Sequence, residues 1–391
     1  MKELTMAMDR IMSGQIRTRP WGLFVVLGSC TVVFVAPCPA IGSAGLIGRG
    51  SLGRTDQPGS RLAPDSARPV PEELSPVRVS QIRERAVAAL LDASAGADPQ
   101  GRANAIEGLL SAPSRAREVI AAGLRDQNTG VRSVAAMGAG RLRLTDLVPE
   151  LKRLAGDDSP YVRASAIYAL VRCLGEKQVD ETPLARILLN DPSPRVRAQV
   201  AFILGELGNQ SAVGLLKTAA RADLPRALPV EVRLMNLQIA EALVKLGEDE
   251  QVQAIRAALY PARPDELELA ALAVQIIGQV QDRGAIDQLI YLSEYTDQAG
   301  QKMPAEVRLA IAEALARLGL NQGAFIADEF RENQSAVLRA QAAHVYGAIG
   351  KMENLPTLEA MLDDEPIVRV SAAAAILDLL EADLQAQPKR E

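Results

Sequence analysis

The feature that most limits what this chain can become is a short phrase that keeps returning. It reads GVRSVAAMGAG from Gly130, YVRASAIYALVRCLG from Tyr161, RVRAQVAFILGELG from Arg195 and EVRLMNLQIAEALVKLG from Glu231. It continues as EVRLAIAEALARLG from Glu306, VLRAQAAHVYGAIG from Val337 and IVRVSAAAAIL from Ile367, so that its arginine falls at 132, 163, 197, 233, 308, 339 and 369. Looser copies at Arg102 (GRANAIEGLL) and around Leu267 (ELELAALAVQIIG) close the one large gap, and the step stays between 30 and 40 residues. The copies at 231–243 and 306–315 agree nearly letter for letter, apart from three extra residues in the earlier one. A period of this length marks supersecondary units stacked in a row.

Each unit reads as two helices. The stretch before each phrase carries apolar residues three and four apart, as at Leu147, Leu151 and Leu154, or Leu184, Ile187 and Leu188, which is the helical period. The second helix opens at a proline (Pro160, Pro194, Pro229, Pro264, Pro304, Pro366), where the missing N–H has no partner to lose and the fixed φ suits a first turn. Ser159 and Ser193 stand where N-caps belong. Glycines at 175, 208, 247, 278, 319 and 350 are placed to end these helices in the left-handed conformation.

The apolar stripe of the second helix, Val196, Val200, Ile203 and Leu204 for example, is too wide for one pair to cover. Stacking pair on pair removes it from water, at about 25 cal/mol per Å² of apolar surface. The expectation is an all-α fold, an α-α superhelix of about nine helical pairs over residues 76–391, with no central cavity. The ending LDLLEADLQAQPKRE turns polar, as a capping unit would.

A polar pair recurs as well: Asp126 with Arg132, Asp157 with Arg163, Asp191 with Arg197 and Asp363 with Arg369, each six apart. An Asp in the turn can accept N–H groups at the helix start, and the Arg can fork to the Asp of the neighbouring unit. Opposite charges at constant spacing cancel any net field, so these eight residues read as a structural ladder. On that reading, replacing Arg197 lowers stability rather than binding.

The phrase VRxxAAxALG, preceded by an Asp and returning about every 31 residues, resembles HEAT repeats of the bacterial subgroup called PBS-lyase HEAT-like repeats. The likeness covers about residues 80–385 and implies an armadillo-like solenoid. It is weaker as a guide to activity, since such repeats serve scaffolds, adaptors and a few enzymes. Deoxyhypusine hydroxylase has a similar fold but binds a di-iron centre through several His-Glu pairs, whereas here the one histidine, His344, is followed by Val345. Bilin lyases imply an aromatic-rich pocket, and aromatics are 3% of this chain. His344 fills the slot held by Met137, Tyr168, Phe202 and Ala374 in other units, which reads as a packed helix position. No CxxC, HExxH or GxxxxGK[ST] phrase occurs, so no catalytic, cofactor-binding or metal-binding residues are assigned.

The ends of the chain carry address rather than chemistry. Lys2, Arg10, Arg17 and Arg19 precede an uncharged apolar run from Trp21 to Ala36, the pattern of an export signal, here assigned to residues 1–40. Three fates stay open: lipidation at Cys30 in Leu27-Gly28-Ser29-Cys30, cleavage near Ala40 or Gly42, or retention as an anchor. Residues 41–75, rich in Gly, Pro, Ser and Arg, read as a disordered tether. The remainder is acidic, with 34 Lys/Arg against 42 Asp/Glu over residues 81–391, which argues against a nucleic-acid surface. Cys173 sits at an apolar helical position and reads as a small buried hydrophobe.

Three consecutive units carry long turns: Arg221–Pro229, Tyr260–Pro264 and Glu294–Met303. In a solenoid such turns share one edge, which gathers Tyr260, Arg263, Asp265, Tyr295 and Lys302, with Tyr291 just before. Tyr and Arg are enriched at protein interfaces, so this edge is the candidate partner-binding surface. The expectation is a non-enzymatic scaffold, without cofactor, that binds a protein in the bacterial cell envelope and meets the membrane only through its N-terminus. An enzyme accessory or lyase-like substrate clamp is the alternative.

Overall fold

The computed structural model describes residues 74–260, 267–296 and 300–386. The export segment with Cys30, the tether up to residue 73, and Arg263, Pro264 and Asp265 lie outside the described residues. Helices alternate between an outer and an inner layer. The outer helices are α1 (Pro76–Ser94), α3 (Pro113–Gly123), α5 (Val148–Leu154), α7 (Thr182–Asn190), α9 (Val213–Ala220), α11 (Val252–Ala257), α13 (Ile286–Glu294), α15 (Ala324–Phe330) and α17 (Leu355–Ala360). The inner helices are α2 (Pro99–Gly108), α4 (Thr129–Arg141), α6 (Pro160–Leu174), α8 (Pro194–Leu207), α10 (Pro229–Lys245), α12 (Leu267–Gln279), α14 (Ala305–Arg317), α16 (Ala336–Ile349) and α18 (Pro366–Ala386). These 18 helices form the α-α superhelix of nine pairs. Among the described residues no strand occurs, only an isolated bridge between Thr296 and Lys302.

Local punctuation works largely as the sequence predicts. Pro160, Pro194, Pro229 and Pro366 begin their helices, while Pro304 sits one place earlier, as the cap of α14. Ser159 and Ser193 occupy cap positions with extended backbones, but their side chains make no capping bond. Instead their own N–H groups donate to Asp157 and Asp191, each at 2.9 Å. Gly175, Gly208, Gly247, Gly319 and Gly350 have φ between 66° and 91°. Gly278 does not end a helix: it lies inside α12, and the positive φ there belongs to Gln281 at 58°.

Gly278 has another task, shared with Gly140, Gly205 and Gly347. Each lies where its inner helix crosses the next, and an added Cβ would meet Ala169 Cα at 2.8 Å, Ala242 Cα at 2.9 Å, Ala314 Cα at 3.2 Å or Ala375 Cα at 2.9 Å. These contacts join α4 to α6, α8 to α10, α12 to α14 and α16 to α18. The inner layer is therefore built from close-packed pairs of helices, so the true period is two units rather than one. The near-identical segments 231–243 and 306–315 both fall on second members of such pairs, α10 and α14.

The superhelix closes on itself. The last helix, α18, packs on α16 and also on α1 and α2. One apolar cluster runs through the join, from Ile82, Val87 and Leu90 of α1 to Leu377, Leu379 and Leu380 of α18. Polar contacts fasten its rim: Arg78 and Arg85 reach Glu359 at 2.9 Å and 2.7 Å, and Arg85 reaches Asp363 at 3.1 Å. The final helix is therefore not a polar cap, because its apolar side is covered by the first unit. A ring of helices must also enclose a space, which corrects the expectation of no central cavity.

Candidate functional site

The turn ladder is partly formed. Arg132 forks to Asp157 of the next unit through Nε at 3.0 Å and Nη2 at 3.1 Å. Arg102 does the same with Asp126 at 2.8 and 2.9 Å, and Arg339 with Asp364 at 2.8 and 2.7 Å. Hydrogen bonding from Arg102 and from the Asn128 N–H holds Asp126 below the usual carboxylate range, against the cost of burial. At Asp157 burial is the largest single influence and pushes upward, but the Arg132 and Ser159 hydrogen bonds and the charges of Arg132 and Arg153 together outweigh it.

The other predicted rungs differ. Arg163 donates to the carbonyls of Asp157 and Asp158, Arg197 to the carbonyl of Asp191 at 2.6 Å, and Arg369 to those of Leu362 and Asp364. None of these three forks to a carboxylate among the described residues. Arg197 is buried and its Nη1 has no partner. Asp363 is no rung either: it joins Arg85 at the seam, and Asp364 takes its place.

On the long-turn edge, Tyr291 is 46% exposed, and the Tyr295 ring lies against it, tilted by 54° with ring centroids 5.8 Å apart. Tyr295 itself is buried and belongs to the apolar core with Leu292 and Met303. It is a packing residue, not part of an open surface. Tyr260 is half-buried on the same cluster. Lys302 is exposed and 3.8 Å from Glu329, which Arg308 also holds. Leu228, in the first long turn, is 62% exposed. Cys173 is half-buried, and burial raises its thiol above the usual value.

The space at the middle of the ring is a cavity of about 730 Å³, lined only by inner helices and the residues just after them. Sequence reasoning missed it, although the signal was present. Counting nine residues on from the eight repeat arginines gives Ser111, Arg141, Arg172, Glu206, Ala242, Arg317, Ala348 and Asp378, and all but Arg172 and Ala242 line the cavity. Counting five gives Glu107, Met137, Tyr168, Phe202, Gln238, Glu313, His344 and Ala374, of which Glu107, Phe202, Glu313, His344 and Ala374 line it as well. The slot noted for His344 faces the lumen at Phe202, His344 and Ala374, and the packed core at Met137 and Tyr168.

Most lumen charges are paired. Lys245 of α10 donates to Glu206 at 2.7 Å and Glu241 at 2.5 Å and lies 4.7 Å from the Phe202 ring. Arg317 donates to Glu313 at 2.8 Å. Burial pushes Glu241 and Asp378 up. His344 is pushed down, first by burial and then by Arg317, with Glu313 opposing. Charged groups in a low-dielectric concavity are strong levers on any ligand that enters.

Residues 87–178 and 181–274 match the family model for HEAT repeats, and the fold is the helical-pair superhelix that such repeats build. These two segments carry HEAT repeats, and the helical pairs on either side of them continue the same stack. A search of curated protein sequences found no match. Among solved structures, the complex of CpcE and CpcF of phycocyanin lyase from Nostoc sp. PCC7120 is similar at 18% identity, over 76% of this chain and 100% of that one, with a TM-score of 0.37. An engineered protein is similar at 14% identity, over 78% of this chain and 95% of that one, with a TM-score of 0.29. Both likenesses are too distant to bring an activity with them.

Proposed function

We propose that this chain is a non-enzymatic HEAT-repeat scaffold that binds a protein partner in the bacterial cell envelope. In this reading the apolar segment Trp21–Ala36 directs export, the ring stands outside the cytoplasm, and contact with the membrane is made by the N-terminus alone. The observation that carries the binding surface is the exposure of Leu228 (62%) and Tyr291 (46%) on two of the three long turns and their flanks. Large apolar and aromatic side chains left in water are the material of interface anchors. Tyr260 and Lys302 flank them, and neither nucleic acid nor a cofactor is part of the reading.

The test is purification of tagged full-length protein from native membranes, with mass spectrometry of the mature N-terminus and of whatever co-purifies. The expected result is a partner retained by the wild type and lost with Leu228→Ala and Tyr291→Ala together. A partner held equally by the double variant sinks the edge, and recovery of the chain with Met1 intact from the soluble cytoplasmic fraction sinks the address. The alternative, an enzyme accessory or lyase-like substrate clamp, is favoured by one observation, the charged lumen.

A further inference from the structure

Charge is divided unevenly around the ring. Residues 76–245 carry 23 Lys/Arg against 18 Asp/Glu, while residues 246–386 carry 10 against 23, so the acidity of the body belongs to its second half. Most outward arginines of the first three units are answered within the fold: Arg115 pairs with Glu84, Arg117 with Asp146 and Arg125 with Glu150. The second half lacks that balance, and like charges gathered on one arc draw in a partner of the opposite sign.

Aromatic rings stand on the same arc. Among the described residues four large apolar side chains are left in water, Val77, Leu228, Tyr291 and Phe325, and the two aromatic ones fall on consecutive outer helices, α13 and α15. On α13, Asp287, Tyr291 and Glu294 are spaced i, i+4, i+7 and all three are exposed, so a carboxylate lies one turn to either side of the ring. Among the described residues no ion pair reaches Asp287 or Glu294. The buried Tyr295 lies against the Tyr291 ring and braces it. On α15, Phe325 is 45% exposed, and Asp328 and Glu329 follow it one turn on, both exposed. Glu329 is held by Arg308 and Lys302. Asp328 accepts the Tyr346 hydroxyl at 2.7 Å, a neutral partner that leaves its charge uncancelled.

We propose that the outward faces of α13 and α15 are the docking surface for an arginine-rich protein segment, whose guanidinium groups lie over the Tyr291 and Phe325 rings and reach the carboxylates beside them. The inference rests on the scaffold reading and names the chemistry of its partner. An exposed ring with a carboxylate one turn away offers a guanidinium both a π face and a charge-assisted hydrogen bond. Arginine meets both at once, because its five N–H donors lie in the plane that stacks. A neutral apolar partner would instead strand Asp287 and Glu294 in the interface without counter-charges, which is costly. A second copy of this chain fits poorly, since most outward arginines of its first three units are already paired.

Fluorescence anisotropy of a labelled eight-residue peptide alternating Arg and Leu, titrated with the full-length protein in about 150 mM salt, tests this against a control peptide alternating Glu and Leu. The basic peptide should bind saturably and the acidic one should not. Tyr291→Ala with Phe325→Ala should weaken binding at least about fourfold, since each exposed cation–π contact is worth about two- to fivefold. Asp287→Asn with Glu294→Gln should weaken it as much and flatten its dependence on salt. If Tyr291→Ala loosens Tyr295 beneath it, Phe325→Ala alone must still weaken binding about two- to fivefold. No saturable binding of the basic peptide, equal binding by either double variant, or equal binding of the acidic peptide would each overturn the proposal. So would sedimentation that shows wild-type dimers dissolved by Phe325→Ala, because the face would then belong to a second copy. A membrane partner lost with Leu228→Ala and Tyr291→Ala, yet held in full by Asp287→Asn with Glu294→Gln, would overturn this inference and leave the scaffold reading standing.

Discussion

Arg78, in the first described helix, places Nη2 2.9 Å from Oε1 and 3.0 Å from Oε2 of Glu359, 281 positions later. Arg85 adds a third bond to the same carboxylate at 2.7 Å. Glu359 is mostly buried while both arginines are about half exposed, so screening by solvent trims what the pair is worth. Glu359→Gln should therefore destabilise the ring by about 0.5–1 kcal/mol. The loss should be visible by thermal melting in 50 mM salt and nearly gone in 1 M salt, where the Debye length is about 3 Å. An open stack whose ends never met would leave the substitution silent at either ionic strength.

The close-packed pairs of inner helices make a prediction of opposite signs. At Gly205 an added Cβ would lie 2.9 Å from the Ala242 Cα, a backbone atom that cannot step aside. Gly205→Ala should cost about 1–3 kcal/mol through overpacking. Gly214, in α9, has nothing within 4 Å of the same imagined atom. Gly214→Ala should stabilise by about 0.5 kcal/mol, because alanine loses less backbone freedom in a helix. Chemical denaturation of the two variants checks both; equal effects would mean that inner helices are evenly spaced.

Unequal rungs should give unequal costs. Arg132 holds both oxygens of Asp157 and two carbonyls, so Arg132→Met should cost about 2 kcal/mol. Arg197 is buried with Nη1 unpaired and no fork to a carboxylate, and a hydrophobic replacement of such a group is often near neutral. Arg197→Met should therefore cost clearly less than Arg132→Met, which revises the ladder reading at that position. The acidic partners set an acid limit. Asp126, Asp157 and Asp364 are all depressed in the fold, so their contribution is complete above an unfolded value of about 3.9 and is lost as pH falls through their folded values. Asp126→Asn together with Asp364→Asn should flatten the decline in melting temperature below pH 4.

Much of this architecture was legible because it is written locally. Proline at the first helical position and glycine of positive φ at the end are choices of single residues, so Pro194 and Gly208 declare the bounds of α8 unaided. Ring closure was hidden because it is a sum: nine small rotations, each set by side-chain volume at a crossing, must add to a full turn. Reading Leu377 and Leu380 as part of a polar ending missed that α1 offers them Ile82, Val87 and Leu90. The lumen was hidden for the same reason, since Asp378 and Ser111 are neighbours only once the ends meet. Tyr295 misled differently, because a tyrosine on a turn looks the same in sequence whether its ring points into Leu292 and Met303 or into water.

His344 is the only histidine of the chain, which makes its titration separable from all others. Burial and the charge of Arg317 depress its folded value, Glu313 opposing, while the unfolded chain protonates it near pH 6.5. Below that value the unfolded state takes up a proton that the fold refuses, so stability present at pH 7–8 is lost as pH falls towards the folded value. Glu241 and Asp378 work the other way: burial raises them, their charged forms are the strained ones, and acid relieves the fold. In wild type the two trends oppose each other as the pH falls. His344→Gln removes only the first, so the variant should gain stability relative to wild type as pH drops from 7.5 to 5.5. Denaturation midpoints that keep a constant offset across that range would place His344 in contact with bulk water, and the lumen with it.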